Sequence, residues 1–324
     1  MNRILHVVVC LAVSANLAHA KDDNPAYTTV ESAGRDYQIQ GEYQGTVKPK
    51  DSRWGAHVIA LGDGKFHAVG YPGGLPGDGW SKGDERKHVD GELQGDVATF
   101  DAGEFQLQAG GGQMKVVSAA GDLLGVLKRV ERKSPTLGAK PPKGAVVLFD
   151  GSSLDKWNNG KLVDKKYLGA TAVFTKRVFG DHTLHLEFRT PFMPKSTGQA
   201  RGNSGVYVQS RYEVQVLDSF GLEGKDNECG GIYSISEPKL NMCFPPLAWQ
   251  TYDVQFTAAR YNAEGEKVKN GRVTMKHNGV VIHNDLELKH GTPGRHEEGP
   301  TKDGLYLQNH GNPVVYRNIW VVEK

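Results

Sequence analysis

The residues best suited to chemistry lie in one short stretch, residues 201–221, with the sequence RGNSGVYVQSRYEVQVLDSFG. Within it Tyr212, Val214 and Val216 alternate with Glu213 and Gln215. A β-strand places successive side chains on opposite faces, so one face of this strand is apolar and the other carries a carboxylate beside an amide. A sheet face of this kind is typical of a groove that handles carbohydrate. Asn203, between two glycines, is either a ligand-binding amide or simply part of the turn that precedes the strand.

The same alternation recurs in three further segments. In HTLHLEFRT, Glu187 and Arg189 lie opposite an apolar face. GLYLQNH places Gln308 and His310 opposite two leucines, and Arg317 projects from VVYRNIWVV. Carboxylates, amides, histidine and arginine are side chains that orient a polar ligand in a pocket. The recurrence over several strands favours a binding face, and solvated outer faces with cross-strand ion pairs are the alternative.

The elements that position these residues are predicted to be almost entirely strands. No segment shows the 3.6-residue spacing of a helix, and glycine, with 41 of 324 residues, has about twice its usual share. Asn278-Gly279 is typical of a two-residue hairpin. The strands predicted in the C-terminal part are 146–149, 172–175, 182–190, 205–209, 212–217, 251–258, 271–277, 280–283, 304–308 and 314–322. Those predicted in the N-terminal part are 37–43, 54–61, 65–71, 91–96, 97–100, 104–108, 114–118 and 123–130. The sequence therefore predicts an all-β protein, a concanavalin-like jelly-roll sandwich preceded by a smaller all-β module.

Two segments divide the chain. Residues 133–144, KSPTLGAKPPKG, combine three prolines with three lysines and predict a linker between a module of unknown role, residues 21–132, and the jelly-roll domain, residues 145–324. Residues 1–20, MNRILHVVVCLAVSANLAHA, have a basic start, a short apolar run and a small-x-small end, and they predict a secretory signal peptide cleaved near Ala20. We therefore expect a secreted or periplasmic protein without membrane insertion.

Trp80 is expected to pack against the core of the first module, with stacking on a sugar as the alternative.

The charge balance excludes two classes of partner. The chain has 39 basic and 37 acidic residues, so it lacks the basic field that nucleic acid or an anionic membrane surface requires.

Beyond the signal peptide the cysteines are Cys229 and Cys243. In an oxidising compartment an even pair predicts a disulfide, and two buried free thiols are the alternative.

Six segments in order, FGDHTLHLEFRTP, GNSGVYVQSRYEVQVLDSFG, GGIYSISEPKLN, AWQTYDVQF, HNGVVIHN and GLYLQNHGNPVVYRNIWV, resemble the 3-keto-disaccharide hydrolase domain family. The opening GAVVLFDGSSLDKW fits the family as well. The resemblance covers residues 145–324 and implies a concanavalin-like jelly roll that acts on glycosides whose C3 hydroxyl is already a ketone. Such a ketone acidifies the C2 proton, so that a base can remove it and expel the group at C1.

Within this resemblance, His310 is the first choice for base or acid, since a histidine titrates near neutral pH. Glu213 and Glu187 are the rival carboxylates. The residues expected to bind the oligosaccharide or glycoside substrate are Arg189, Asn203, Gln215, Tyr233, Gln308 and Arg317. The sequence assigns no cofactor, and a divalent cation held by Glu187, Glu213, Asp218 and His310 is left open.

Two other functions remain open at this stage. The first is a lectin-like module that binds a glycan without cleaving it, because many lectins share this architecture. The second is a jelly-roll glycosidase that acts on unoxidised glycans. A retaining glycosidase needs two carboxyls about 5–5.5 Å apart, and the spacing of Glu213 and Asp218 predicts opposite faces, which disfavours it.

Overall fold

The computed structural model describes residues 24–324, so the predicted signal peptide lies outside the described residues. Strands make up 47% of the structure and helix only 3%, which confirms the predicted all-β class. No helix in residues 24–324 has the length and apolar character needed to cross a membrane.

Residues 41–130 form a closed eight-stranded barrel, with the strand order β1-β10-β9-β8-β7-β6-β3-β2. Its strands are β1 (Gly41–Val47), β2 (Ser52–Gly62), β3 (Lys65–Pro72), β6 (Lys87–Gln94), β7 (Val97–Asp101), β8 (Phe105–Gly110), β9 (Gln113–Ser118) and β10 (Leu123–Val130), and the pair β4 (Leu75–Pro76) and β5 (Gly79–Trp80) stands outside it. Tyr43, Phe66 and Phe100 fill the interior and are fully buried. Trp80 is also buried and donates its indole N–H to the carbonyl of Glu85, which confirms its place in the core.

One predicted strand of the barrel is partly wrong. Residues 37–43 do not form a single strand, because a short helix, α1 (Gly34–Ile39), precedes β1. Ile39 is buried in the barrel core, and its carbonyl accepts a 2.5 Å hydrogen bond from the hydroxyl of Tyr43. Ile39, whose apolar side chain suggested a strand, therefore lies on a helix and packs into the barrel interior.

Residues 146–323 form two packed sheets. Their strands are β11 (Val146–Phe149), β12 (Trp157–Asn158), β13 (Leu162–Val163), β14 (Tyr167–Gly169), β15 (Val173–Thr175), β16 (His182–Arg189), β17 (Ser204–Val208), β18 (Tyr212–Val216), β19 (Gln250–Thr257), β20 (Arg260–Tyr261), β21 (Lys267–Lys269), β22 (Gly271–His277), β23 (Val280–Leu288), β24 (Tyr306–Leu307) and β25 (Val315–Glu323). The large sheet has the order β13-β14-β25-β16-β19-β22-β23, with β11 also paired to β25. The small sheet has the order β12-β15-β24-β17-β18.

The apolar faces of the two sheets meet in one core. Leu184 and Phe188 of β16 belong to the same buried cluster as Val206 of β17 and Val214 of β18. Successive side chains alternate across a strand, so the polar residues of β16 leave the sandwich on one side and those of β17 and β18 leave it on the other. The hairpin predicted at Asn278-Gly279 joins β22 to β23, and both residues have positive φ, 49° and 83°, as such a turn requires.

The barrel and the sandwich share buried contacts. Phe192 and Leu247, which follow β16 and precede β19, belong to the hydrophobic core of the barrel. Phe220, which follows β18, stacks on His57 of β2 with ring centroids 4.3 Å apart. The barrel therefore supports the two long segments, 190–203 and 217–249, that connect strands of the two sheets.

Candidate active site

A pocket of about 240 Å³ opens on the outer face of the small sheet. It is lined by Gln199, Asn203, Tyr207, Glu213, Gln215, Tyr233, Pro293, Gly294, Gln308 and His310. The side chains at the floor of the pocket are brought together by the pairing register of neighbouring strands. Tyr207 of β17 pairs with Glu213 of β18, and Gly205 pairs with Gln215. The backbone N–H of Gln308, just after β24, donates to the carbonyl of Gly205, so three neighbouring strands place their polar side chains side by side.

Glu213 is the ionisable group at the floor of this pocket. Its side chain is buried, and burial raises its pKa to about 7, although the hydrogen bond from Tyr207 opposes the change. The Tyr207 hydroxyl donates to Glu213 Oε2 over 2.8 Å. A Cβ at Gly205 would lie 2.3 Å from Glu213 Oε1, so only glycine leaves room for this carboxyl. A carboxyl with this pKa can take up or release a proton near neutral pH.

Four amide side chains line the pocket around the carboxyl, and each donates a side-chain N–H to an oxygen of the protein. Gln199, on a 3-10 helix at Gly198–Ala200, donates its Nε2 to the carbonyl of Asn227, and its Oε1 accepts from Asn203 Nδ2 at 3.0 Å and from Gln215 Nε2 at 3.3 Å. Gln308 Nε2 donates to the hydroxyl of Tyr207 over 3.2 Å.

The side-chain carbonyl oxygens of three of these amides have no hydrogen-bond partner among the described residues. Asn203 Oδ1, Gln215 Oε1 and Gln308 Oε1 are buried and accept no hydrogen bond from any described residue. A buried acceptor without a donor costs free energy of about 1–3 kcal/mol. Concentration of three such atoms around one pocket is typical of a site whose polar groups are completed by a ligand, and sugar hydroxyls are donors of the right kind.

The rim of the pocket comes from two loops and a strand end. The loop after β18 runs beside that strand, where the backbone N–H of Tyr233 donates to the carbonyl of Glu213 over 3.2 Å. The loop before β24 brings Pro293 and Gly294 against Tyr207, and a Cβ at Gly294 would lie 2.6 Å from the Tyr207 hydroxyl. His310 lines the pocket and is exposed.

The structure divides the predicted site residues into two groups. Glu213, His310, Asn203, Gln215, Tyr233 and Gln308 line the one pocket. Glu187, Arg189 and Arg317 belong to β16 and β25 of the large sheet, and their side chains lie on the opposite outer side of the sandwich. The prediction that all these residues share one groove is therefore wrong.

The second group has a structural role on the large sheet. Arg317 Nε donates to Glu187 Oε2 over 2.6 Å, and the backbone N–H of Gly138, in the linker, donates to Glu187 Oε1 over 2.6 Å. Burial acts to raise the pKa of Glu187, but hydrogen bonds from His185, Asn318, Gly138 and Arg317 outweigh burial and lower the pKa to about 2. The guanidinium groups of Arg189 and Arg317 stack on Trp249. This cluster holds the linker against the sheet.

Two further predictions are corrected. Cys229 and Cys243 are free and fully buried, so the predicted disulfide is wrong. The two thiols are hydrogen-bonded to each other, and Cys229 Sγ also lies 3.1 Å from the Tyr252 hydroxyl and Cys243 Sγ 3.5 Å from the carbonyl of Phe244.

The suggested cation set of Glu187, Glu213, Asp218 and His310 is not assembled. Glu187 lies on the other side of the sandwich, and Asp218 is buried in an ion pair with Arg201 at 2.7 Å. Within residues 24–324 no group of three histidine, cysteine or acidic side chains is arranged to hold a metal ion. The same ion pair removes Asp218 as the second acid of a glycosidase.

A larger cavity, about 400 Å³, lies beyond the turn between β17 and β18. Three of its charged groups already have partners in the protein: Arg260 pairs with Asp181, and Arg211 donates to the carbonyls of Glu297 and Thr301. The smaller pocket is the better candidate, because it alone of the two contains a buried carboxyl with a raised pKa.

Sequence reasoning missed Tyr207 and Gln199. Tyr207 has the alternation of a polar-face residue, opposite Val206 and Val208, and that signal was available. Gln199 precedes the strand in a segment without periodicity, so its contact with Asn203 and Gln215 depends on a fold of the chain that the sequence pattern does not encode.

A pocket of amides and aromatic hydroxyls around a buried carboxyl, on the outer face of a jelly-roll sheet, defines a carbohydrate-active β-sandwich. Residues 144–322 match the model of the 3-keto-alpha-glucoside-1,2-lyase-like domain. The match extends over more than half of the chain, and the chain therefore belongs to this family.

The chain is also similar to solved structures. A candidate glycosyl hydrolase from Parabacteroides distasonis is 30% identical, with a TM-score of 0.51, and the match covers 56% of this chain and 85% of that one. Two others from the same organism are 18% and 22% identical over 56% of this chain, covering 94% and 99% of theirs, with TM-scores of 0.42 and 0.40 that are too low to carry an argument. No curated protein matches the chain.

Proposed function

We propose that this protein cleaves 3-keto-glycosides by removing the C2 proton of the oxidised sugar and eliminating the group at C1. One observation carries the proposal: the pocket holds a buried carboxyl, Glu213, whose pKa is raised to about 7. A base that titrates near neutral pH matches the need to remove a proton from carbon next to a ketone. Membership of the family supports the same chemistry.

The proposed reaction balances in two steps. A base takes the C2 proton, and the electron pair of the C2–H bond forms an enolate with the C3 ketone. The enolate then collapses, so that the C3 ketone re-forms, a C1–C2 double bond forms and the C1–O bond breaks. The departing oxygen takes a proton from an acid, which leaves an unsaturated ketone. Water can then add, with its oxygen bonding to C1 and a proton returning to C2, so that the net result is hydrolysis.

In this proposal Glu213 is the base at C2 and His310 is the acid for the leaving oxygen. Glu213 is buried at the floor of the pocket, whereas His310 is exposed at its rim. A leaving group that must depart to solvent is better placed at the rim. Asn203, Gln215, Gln308 and Tyr233 bind the sugar, and the unpaired oxygens of the three amides accept from its hydroxyls.

One experiment separates this proposal from its alternatives. The purified protein is incubated with a glucoside and, separately, with its 3-keto form, and the released aglycone is measured. We expect release only from the oxidised sugar. Release from the unoxidised glucoside would indicate a glycosidase, and binding of either sugar without release would indicate a lectin-like module.

We also propose that the protein acts outside the cytoplasm, on the basis of the signal-peptide pattern in residues 1–20. N-terminal sequencing of the exported protein tests this, and a mature chain that starts near Lys21 is expected. Retention of residues 1–20 in the cytoplasmic fraction would contradict it.

A further inference from the structure

The hydroxyl of Tyr207 contacts three polar groups at the pocket. It lies 2.8 Å from Glu213 Oε2, 3.2 Å from Gln308 Nε2 and 3.2 Å from the carbonyl of Pro293. Its side chain is 1% exposed. Burial raises the pKa of Tyr207 well above its ordinary value, so the phenol keeps its hydrogen throughout the pH range of the protein.

The direction of each hydrogen bond follows from the donors. Gln308 Nε2 can only donate, so the phenol oxygen accepts from it and the phenol hydrogen is left for Glu213 or Pro293. A hydrogen bond to an ionised carboxylate is about twice as strong as one between neutral groups. The phenol therefore donates to Glu213 Oε2 whenever Glu213 is ionised.

The other carboxyl oxygen is treated differently. Glu213 Oε1 accepts no hydrogen bond from residues 24–324, and the absence of a side chain at Gly205 leaves space beside it, since a Cβ there would lie 2.3 Å away. One oxygen is thus occupied by Tyr207, and the other is left for the substrate.

We propose that Tyr207 is a positioning residue, which holds Glu213 Oε2 and so makes Oε1 the oxygen that exchanges a proton with the sugar. This inference rests on the proposed function of Glu213 as the base. A protonated Glu213 then carries its hydrogen on Oε1, because a hydrogen on Oε2 would displace the phenol to Pro293. Tyr207 acts through Glu213 and does not touch the reacting carbon.

The test compares Tyr207→Phe with Tyr306→Phe. Tyr306 pairs with Tyr207 in the small sheet, and the centroids of the two rings lie 5.3 Å apart. Tyr306 is not among the residues that line the pocket. Tyr306→Phe is therefore a matched control, because it also removes one tyrosine hydroxyl. The measured quantities are kcat/KM for a 3-keto-glucoside between pH 5 and 9 and, independently of turnover, the titration of the Glu213 carboxyl by carbon NMR, assigned with Glu213→Gln.

We expect Tyr207→Phe to raise the midpoint of the Glu213 titration by about one pH unit, because the ionised carboxylate loses a hydrogen bond. We also expect the variant to lower kcat/KM about tenfold at neutral pH. Tyr306→Phe should leave both unchanged. An unmoved midpoint in Tyr207→Phe overturns the proposal, even if the rate falls. Because the NMR titration needs no substrate, failure of the proposed function would show separately, as absent turnover in the wild-type protein.

If Tyr207→Phe does not fold, Tyr207→3-fluorotyrosine decides the question. Fluorine makes the phenol a stronger donor, so the Glu213 midpoint should move downward, opposite to the effect of losing the hydroxyl. A midpoint that does not move in this variant overturns the proposal.

Discussion

Replacement of Glu213 by glutamine should make the protein more stable at alkaline pH while it removes the proposed base. The pKa of Glu213 is about 7 in the folded protein against an ordinary value of 4.5. Between these two pH values the unfolded chain loses a proton that the folded chain keeps. The unfolded chain then binds fewer protons, so the free energy of unfolding falls as the pH rises through this window.

The size of the effect follows from the two pKa values. The difference between 4.5 and 7 corresponds to about 3 kcal/mol of stability that is lost once Glu213 is ionised. Glutamine stays neutral, and its oxygen can still accept from Tyr207. We therefore expect Glu213→Gln to match the wild-type protein near pH 4.5 and to exceed its free energy of unfolding by about 3 kcal/mol at pH 8.

Urea denaturation at pH 5 and pH 8 measures this difference, with Glu187→Gln as the control. The pKa of Glu187 is lowered to about 2, so its stabilisation is complete above pH 4.5 and is lost only as the pH falls toward 2. Glu187→Gln should therefore be less stable than the wild-type protein, and by a similar amount at both pH values. A stability difference for Glu213→Gln that is the same at pH 5 and pH 8 would refute the reasoning about the pocket.

Three other predictions concern the site, the contact between barrel and sandwich, and the cysteines. Gly205→Ala places a Cβ 2.3 Å from Glu213 Oε1, so kcat/KM should fall about 100-fold as the carboxyl is displaced, and full activity would be the contrary result. Phe220→Ala removes a buried ring that stacks on His57 and should cost about 3–5 kcal/mol in urea denaturation, whereas the exposed Leu222→Ala should change stability by less than about 0.5 kcal/mol; equal effects would show that the stack contributes nothing. Cys229 and Cys243 should react with a thiol reagent only after unfolding, because both are buried and free, and absence of any thiol in the unfolded mature chain would show that the disulfide forms.

Strand positions were predictable because alternation and turn residues are local signals. The strand predicted at 123–130 coincides with β10 and that at 271–277 with β22. β10 follows a turn that contains Gly121, and β22 lies between Asn270 and the Asn278-Gly279 turn. α1 was missed because its six residues make fewer than two helical turns and so show no repeated 3.6-residue period. Ile39 also has the same apolar signal in a helix as in a strand.

The site was only half predictable, for a reason that Glu187 and Glu213 illustrate. Alternation shows that each carboxylate points away from the core, and that expectation is correct for both. It does not show which sheet each strand joins, and a sandwich has two outer faces. β16 pairs with β19 and β25, whereas β18 pairs with β17, and these long-range pairings put the two carboxylates on opposite sides.

The central claim is that the reaction begins with loss of the C2 proton to Glu213. The most direct test is a single-turnover comparison of a 3-keto-glucoside with the same sugar deuterated at C2, with the wild-type protein and with Glu213→Gln. We predict slower cleavage of the deuterated sugar by the wild-type protein and loss of cleavage by the variant, to about 10²–10⁴-fold below wild type. Equal rates for the two sugars, together with full activity of Glu213→Gln, would contradict the account.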